Sequence, residues 1–235
     1  MNKLTMMFAA IALAVGTSAS AATPEEELQK FAPEAKTFRT VYVVDAFSGV
    51  NNGNKKYVRD NSDAFAGKKI KKIGYYMRLV GNDGKVQQVF VTMDPFTQNV
   101  KEIGVPAMNP KKTFQVYVTN MTVKSDVAGV KNGTFPKGNI EFWATNYSNG
   151  NSAKIPGADN GKFDFGDVPA NTGNYGSMQI HNFAEKQTVM AYNHWIMGKN
   201  SEVGIGNQPQ NNPDWTFSNS GKNYKSADIL VLVQE

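Results

Sequence analysis

The residues of this sequence best suited to chemistry lie in its C-terminal third, which holds both histidines and two of the three tryptophans. Amide, imidazole and indole side chains together are typical of sugar binding. Planar amides exchange paired hydrogen bonds with hydroxyls, and aromatic rings pack on the apolar face of a pyranose. The predicted ligand-binding residues are His181, Asn182, Asn193, Trp195, Asn207, Asp214 and Trp215. The alternative is that these side chains satisfy buried polar groups at a sheet edge.

A hairpin is expected to position the first of these residues. Met178–Asn182 alternates apolar and polar residues, which predicts a strand in which Gln179 and His181 share a face. Phe183–Gln187 has the length of a hairpin loop, and Tyr192–Trp195 is the returning strand. We expect His181 or Asn182 to lie near Asn193 or His194 across the ladder, in one recess open to water.

Two loops rich in Asp and Asn could supply part of a structural calcium site. The loops are Gly157–Asp167 and Gly204–Trp215, and the carboxylates of the first are Asp159, Asp164 and Asp167. Calcium takes about six to eight oxygen ligands, but neither loop has the spacing of a twelve-residue calcium loop with its final Glu. Ordinary turn chemistry is the alternative. No other cofactor is predicted.

Several catalytic classes are excluded or left without a motif. The chain has no cysteine, which excludes a thiol nucleophile, and two histidines cannot form a three-histidine zinc site. It has no G-x-S-x-G elbow and no P-loop, and Gly204–Asn207 lacks the third glycine of a dinucleotide fingerprint. Glu141 is the best single candidate for a glycosidase carboxylate, although a lone Glu on a strand is usually a surface or ion-paired residue.

The first 22 residues have the pattern of a secretory signal peptide. Lys3 is followed by an apolar run of about 10 residues, Met6–Val15, and then by small residues with an Ala-x-Ala site at Ala19–Ala21. A membrane anchor is the alternative, but a spanning helix needs about 20 apolar residues. We therefore expect a secreted or periplasmic chain of bacterial type whose mature part has no membrane span.

The rest of the sequence predicts an all-β domain. Residues 23–37 resemble a short N-terminal helix or arm with Thr23 as its cap, and residues 38–235 form a single domain. Gly81–Gly84 predicts a tight hairpin turn. Strands are expected at Phe38–Phe47, Ile70–Val80, Val86–Met93, Thr113–Val123, Asn139–Ala144, Met178–Asn182, Thr188–Trp195, Val203–Ile205, Thr216–Phe217 and Ala227–Val233. Their spacing favours an antiparallel, jelly-roll-like β-sandwich.

Six motifs also carry a family resemblance. The chain resembles the secreted bacterial β-sandwich domain of proteins labelled sialate O-acetylesterases, from about Ile70 to Val233. The motifs are Gly138–Trp143, Phe163–Asp167, Tyr175–Asn182, Gly204–Asn207, Pro213–Phe217 and Tyr224 with Leu230–Val233. The Gly-Asp-Ser nucleophile of those esterases is missing, because Gly166-Asp167 is followed by Val168. The resemblance implies a glycan-associated accessory domain and transfers no catalytic residue.

The expected function is therefore non-catalytic binding of an extracellular or envelope polysaccharide. The formal charge of +5 is spread along the chain and forms no nucleic-acid-binding stripe; Lys68–Lys72 indicates a solvated turn. Two alternatives remain open. One is a glycan hydrolase, an O-acetylesterase or a glycosidase, with His181 or His194 as base. The other is a structural envelope protein. The oligomeric state is not predicted.

Overall fold

The computed structural model describes residues 21–47, 56–105, 114–143, 175–195, 201–206 and 220–235, with the backbone alone described at 175, 194, 195, 201 and 220. The elements in chain order are α1 (Pro24–Phe31), β1 (Arg39–Asp45), β2 (Arg59–Asp60), β3 (Lys72–Gly81), β4 (Val86–Met93), β5 (Phe114–Ser125), β6 (Gly133–Trp143), β7 (Tyr175–Asn182), β8 (Gln187–Trp195), β9 (Ser201–Ile205) and β10 (Tyr224–Gln234). Short 3₁₀ helices span Pro33–Thr37, Ser62–Phe65, Val100–Glu102 and Ser220–Asn223. The predicted strand at Thr216–Phe217 and most of the predicted signal peptide lie outside the described residues.

Helix α1 begins at a capping box. The Thr23 hydroxyl accepts a hydrogen bond from the Glu26 backbone N–H, and the Glu26 carboxylate accepts one from the Thr23 N–H. These bonds satisfy two of the backbone donors that a helix start leaves free. Pro24 fits the first turn and Pro33 prevents continuation, so the predicted short N-terminal helix is confirmed.

The tight turn between β3 and β4 is also confirmed. The Gly81 N–H donates to the Lys85 carbonyl, and Gly84 takes a positive φ of 84° that suits glycine. The turn fixes the register, in which Tyr76 faces Phe90 and Val80 faces Val86.

The ten strands of the described residues form one antiparallel sheet in the order β2-β1-β10-β3-β4-β5-β6-β7-β8-β9. Strands β3 to β9 follow one another as a meander, whereas the last strand, β10, lies between β1 and β3. Strand β4 also contacts β8 and β9, which would lie about 20 Å away in a flat sheet, so the sheet curls. The all-β fold is confirmed. Because the described strands belong to one continuous sheet, the two-layer sandwich is not confirmed.

Two apolar clusters hold the sheet from opposite faces. The larger core joins both ends of the sheet, with members such as Tyr75 and Val231 on β3 and β10 and Met190 on β8. The smaller core lies under α1, where Leu28 packs with Tyr76, Phe90, Leu230 and their neighbours. Alternate residues of β3 and β10 therefore enter different cores, which explains why these strands are buried on both faces. Within the described ranges, no helix combines the length and apolar character that a membrane crossing requires.

Candidate functional site: a polar face on strands β5 to β9

Strands β5 to β9 present one apolar and one polar face. In β6, Ile140 and Phe142 enter the larger core, and the residues that alternate with them point the other way. The antiparallel register aligns these with polar residues of the neighbouring strands. We name this side of the strands the polar face; its members are Gln115, Tyr117, Lys137, Asn139, Glu141, Trp143, Ser177, Gln179, His181, Asn193 and Glu202.

Most of the polar face is buried. His181, Asn139 and Glu141 are fully buried, with 0% exposure, and Asn193 is 4% exposed. Asn182, which belongs to the opposite face by alternation, is buried as well. The expected recess open to water is therefore closed at His181 and Asn182, and the prediction of an accessible surface there is wrong. Burial on both faces is the physical reason, because a strand in that setting keeps no side in contact with solvent.

The predicted hairpin around His181 is confirmed, but its predicted cross-strand pairs are not. β7 and β8 are antiparallel and joined by a four-residue turn, 183–186. The register pairs His181 with Thr188 and Ser177 with Asn193. Ser177, the residue that faces Asn193, lies four positions before His181 on β7, which is about 13 Å along a strand. A register shift between Ile180 and His181 contributes to the difference.

The His181 imidazole is held by two amides. Its Nδ1 lies 2.6 Å from Asn139 Oδ1, and its Nε2 lies 3.2 Å from Gln179 Oε1. The second contact confirms that Gln179 and His181 share a face. Because both ring nitrogens have hydrogen-bond partners, neither is open to a ligand or substrate in this arrangement.

A buried carboxylate continues the network beside His181. Glu141 Oε1 lies 3.9 Å from His181 Nδ1, and Glu141 Oε2 accepts hydrogen bonds of 3.2 Å from Gln115 Nε2 and Trp143 Nε1. These donors offset part of the cost of taking a charge out of water. Glu141 is therefore a hydrogen-bonded interior residue and not a surface one.

Some polar atoms of this face are not satisfied within the described part of the chain. Gln115 Oε1, Ser177 Oγ and Asn193 Oδ1 are buried and have no hydrogen-bond partner there. The Asn193 amide nitrogen does donate to Glu202 Oε2, at 3.2 Å. Buried polar atoms without partners are uncommon in folded proteins, and bound water or a bound polar group is the usual explanation.

At one end the polar face meets solvent in a group we name the Lys137 cluster, consisting of Tyr117, Lys137 and Phe183. All three are half-buried. The rings of Tyr117 and Phe183 are edge to face, with centroids 6.0 Å apart and planes at 82°. The Lys137 Nζ lies 3.7 Å from the Tyr117 centroid and 4.3 Å from the Phe183 centroid.

The sequence did not predict this cluster. Lys137 lies in the first half of β6, where Gly133, Pro136 and Gly138 make the strand hard to recognise from residue types. Phe183 lies in a predicted loop. The signal that could have revealed it is the pairing of three successive strands. Extending β6 backwards along β5 pairs position 137 with 119, which makes 137 a diagonal neighbour of 117 on the same face.

Other predicted site residues lie outside the described structure. They are Asn207, Asp214 and Trp215 of the ligand site and Asp159, Asp164 and Asp167 of the calcium site. The backbones of His194 and Trp195 belong to β8, but their side chains are not described. Among the described residues there is no group of three or more side chains suited to holding a metal.

The described surface offers little apolar area for a partner. Its exposed large hydrophobic residues are Val58, just before β2, and Val86, at the start of β4. Single exposed valines are ordinary on protein surfaces and do not make an interaction patch. The structural envelope alternative therefore gains no support from these residues.

None of the family models, curated proteins or solved structures compared with this chain matches it. The resemblance to the esterase-associated sandwich domain stays a prediction from the sequence motifs.

Proposed function

We propose that this chain is a secreted or periplasmic, non-catalytic glycan-binding protein whose sugar contacts lie at the Lys137 cluster. The observation that carries the proposal is the pair of half-buried rings, Tyr117 and Phe183, at the solvent end of a continuous polar face. Aromatic surface beside fixed polar groups suits a sugar, since a pyranose has apolar C–H faces and polar hydroxyl edges.

The buried part of the polar face acts as support in this proposal. Asn139 and His181 are hydrogen-bonded neighbours on β6 and β7, and they lie two residues from Lys137 and Phe183 respectively. The buried hydrogen bond between them limits movement of the two strands that bear it, so the surface groups are held in place before a ligand arrives. Preorganisation of this kind lowers the entropic cost of binding.

Calorimetric titration of a glycan panel tests the proposal. Tyr117→Ala and Phe183→Ala each remove one ring of the cluster, and each should weaken binding about threefold to tenfold. Tyr224→Ala is the matched control, because Tyr224 is also half-buried but lies on β10. Heat with no member of the panel, or wild-type affinity in both ring variants, would overturn the proposal.

The sequence-predicted tryptophan contacts need their own variants. Trp195→Ala and Trp215→Ala are measured in the same titration. Loss of binding in these two variants with wild-type binding in Tyr117→Ala would move the proposed site away from the Lys137 cluster.

A glycan hydrolase is the second candidate, and the 3.9 Å approach of Glu141 to His181 is the observation that favours it. A carboxylate beside an imidazole is a common acid–base arrangement. Against it stand the full burial of both side chains and the occupied imidazole nitrogens. Turnover of an acetylated chromogenic sugar that disappears in His181→Ala, with the fold intact by circular dichroism, would favour the hydrolase.

A further inference from the structure

On the premise that a glycan binds at the Lys137 cluster, we infer that the sugar it takes is an acidic one, whose carboxylate pairs with the Lys137 ammonium. This pairing adds charge selection to a site that aromatic rings alone would leave open to neutral sugars.

The environment of Lys137 carries this inference. Its ammonium lies over the two rings, the residue as a whole is half-buried, and no described carboxylate lies within 4.0 Å of the ammonium. Some other cations of the described chain do have such partners, among them Lys72 with Asp94 and Arg39 with Glu235. Lys137 is thus a half-buried lysine whose charged end lies against aromatic rings.

Ring faces leave part of an ammonium unsatisfied. An ammonium has three N–H donors, and contact with two ring faces leaves donor capacity on the side that points away from them. A carboxylate arriving from that side forms a charge-assisted hydrogen bond, which is stronger than a bond between neutral groups.

The charges near the cluster are mixed. The turn that follows Phe183 carries Glu185 and Lys186, both exposed, so the turn itself contributes no net charge. The chain as a whole has a formal charge of +5. We therefore assign selection of an acidic ligand to Lys137 itself, an assignment that can be tested at a single residue.

The experiment compares uronic-acid polymers with their methyl esters. Polygalacturonate, alginate and hyaluronate are each titrated beside the esterified form, which keeps the sugar rings and removes the charge. We expect the wild-type protein to bind at least one acid form roughly tenfold more tightly than its ester. Added salt should weaken binding of the acid form only.

Two variants of Lys137 and one control complete the design. Lys137→Met should lower affinity for the acid form to that for the ester, and Lys137→Arg should keep most of the preference because it keeps the cation. Lys36→Met is the control, since Lys36 is exposed in the 3₁₀ helix after α1 and the same charge is removed. Thermal melting confirms that each variant is folded.

The outcomes separate this inference from the proposed function. Equal affinity for acid and ester, binding of neutral glycans only, or an unchanged preference in Lys137→Met overturns the acidic ligand and leaves glycan binding in place. Equal weakening by Lys36→Met also overturns it, because the attraction would then be a property of the whole surface. Absence of binding to every acidic and neutral glycan overturns both.

Discussion

A single methyl group added at Gly138 should disrupt β6 on its apolar side, where the strand packs against Met121 of the larger core. A Cβ at this position would lie 2.7 Å from the Met121 sulfur and 2.8 Å from the His181 carbonyl oxygen, and it would also meet the Met121 methyl group. Real Cβ atoms essentially never approach other heavy atoms this closely. The Met121 side chain can rotate, but the His181 oxygen is backbone within the β6–β7 pair and cannot retreat without moving the strand.

The expected cost follows from three contributions. Overpacking a well-filled interior costs about 1–3 kcal/mol. Displacing a ladder carbonyl weakens a hydrogen bond worth about 1 kcal/mol. Replacing glycine by alanine stabilises the fold by about 0.5–1 kcal/mol, because it reduces the conformational entropy of the unfolded chain. Gly138→Ala should therefore lower the free energy of unfolding by about 1–3.5 kcal/mol, and for a chain of this size the melting temperature should fall by about 2–14 °C.

Urea unfolding and calorimetry measure this effect, with Gly74→Ala as the matched control. Gly74 is buried on β3, but the nearest atoms to its Cβ are ring carbons of Phe90 at 3.1 Å and Phe38 at 3.4 Å, and no backbone atom lies within its three closest contacts. That variant should lose less than about 1 kcal/mol because the rings can give by a few tenths of an ångström. Equal stability losses in the two variants would refute the role assigned to the His181 carbonyl.

Three further predictions concern carboxylates. The hydrogen bond from Lys72, the largest cause, lowers the pKa of Asp94 below 3.8, so its stabilising effect is complete above that pH and is lost as the pH falls through the folded pKa. In urea midpoints measured from pH 7 to pH 2, Asp94→Asn should be less stable than wild type at pH 7 and should approach it in acid. Burial raises the pKa of Asp228 above 3.8, so the penalty for its charge grows as the pH rises through the folded pKa. Asp228→Asn should therefore be more stable than wild type at pH 7 and equal to it below about pH 3.8; lower stability at pH 7 would contradict this. Glu141→Ala removes the acceptor of the hydrogen bonds from Gln115 Nε2 and Trp143 Nε1 and should lower the unfolding free energy by about 2–6 kcal/mol, at about 1–3 kcal/mol for each buried bond, while Glu141→Gln, which retains an acceptor, should lower it less.

Local patterns predicted most of the described fold. The Gly81–Gly84 turn and the flanking apolar runs predict β4 at the observed bounds, Val86–Met93, and Thr23 with Pro24 predicts the start of α1. Strand β2 was missed because it has two residues, Arg59 and Asp60, both exposed. A pair that short carries no hydrophobic period, and its pairing with β1 is a tertiary effect.

The candidate site was harder to predict, since burial and register are not local properties. The alternation of Met178–Asn182 correctly placed Gln179 and His181 on one face, but alternation does not tell whether a polar face meets water. Register depends on the turn and on the shift beside His181, neither of which the residue types specify. The Lys137 cluster draws its members from two strands and a turn, so no window of the sequence contains it.

The position of β10 between β1 and β3 has a consequence for biosynthesis. Strand β1 is connected to the meander only through β10, which lies between β1 and β3. Leu230 and Leu232 of β10 also belong to the core beneath α1. Until β10 has been synthesised and has left the ribosome, β1 cannot join the meander. A stop codon that removes β10 should therefore yield a product in which β1 has no strand linking it to β3 and the core beneath α1 is incomplete.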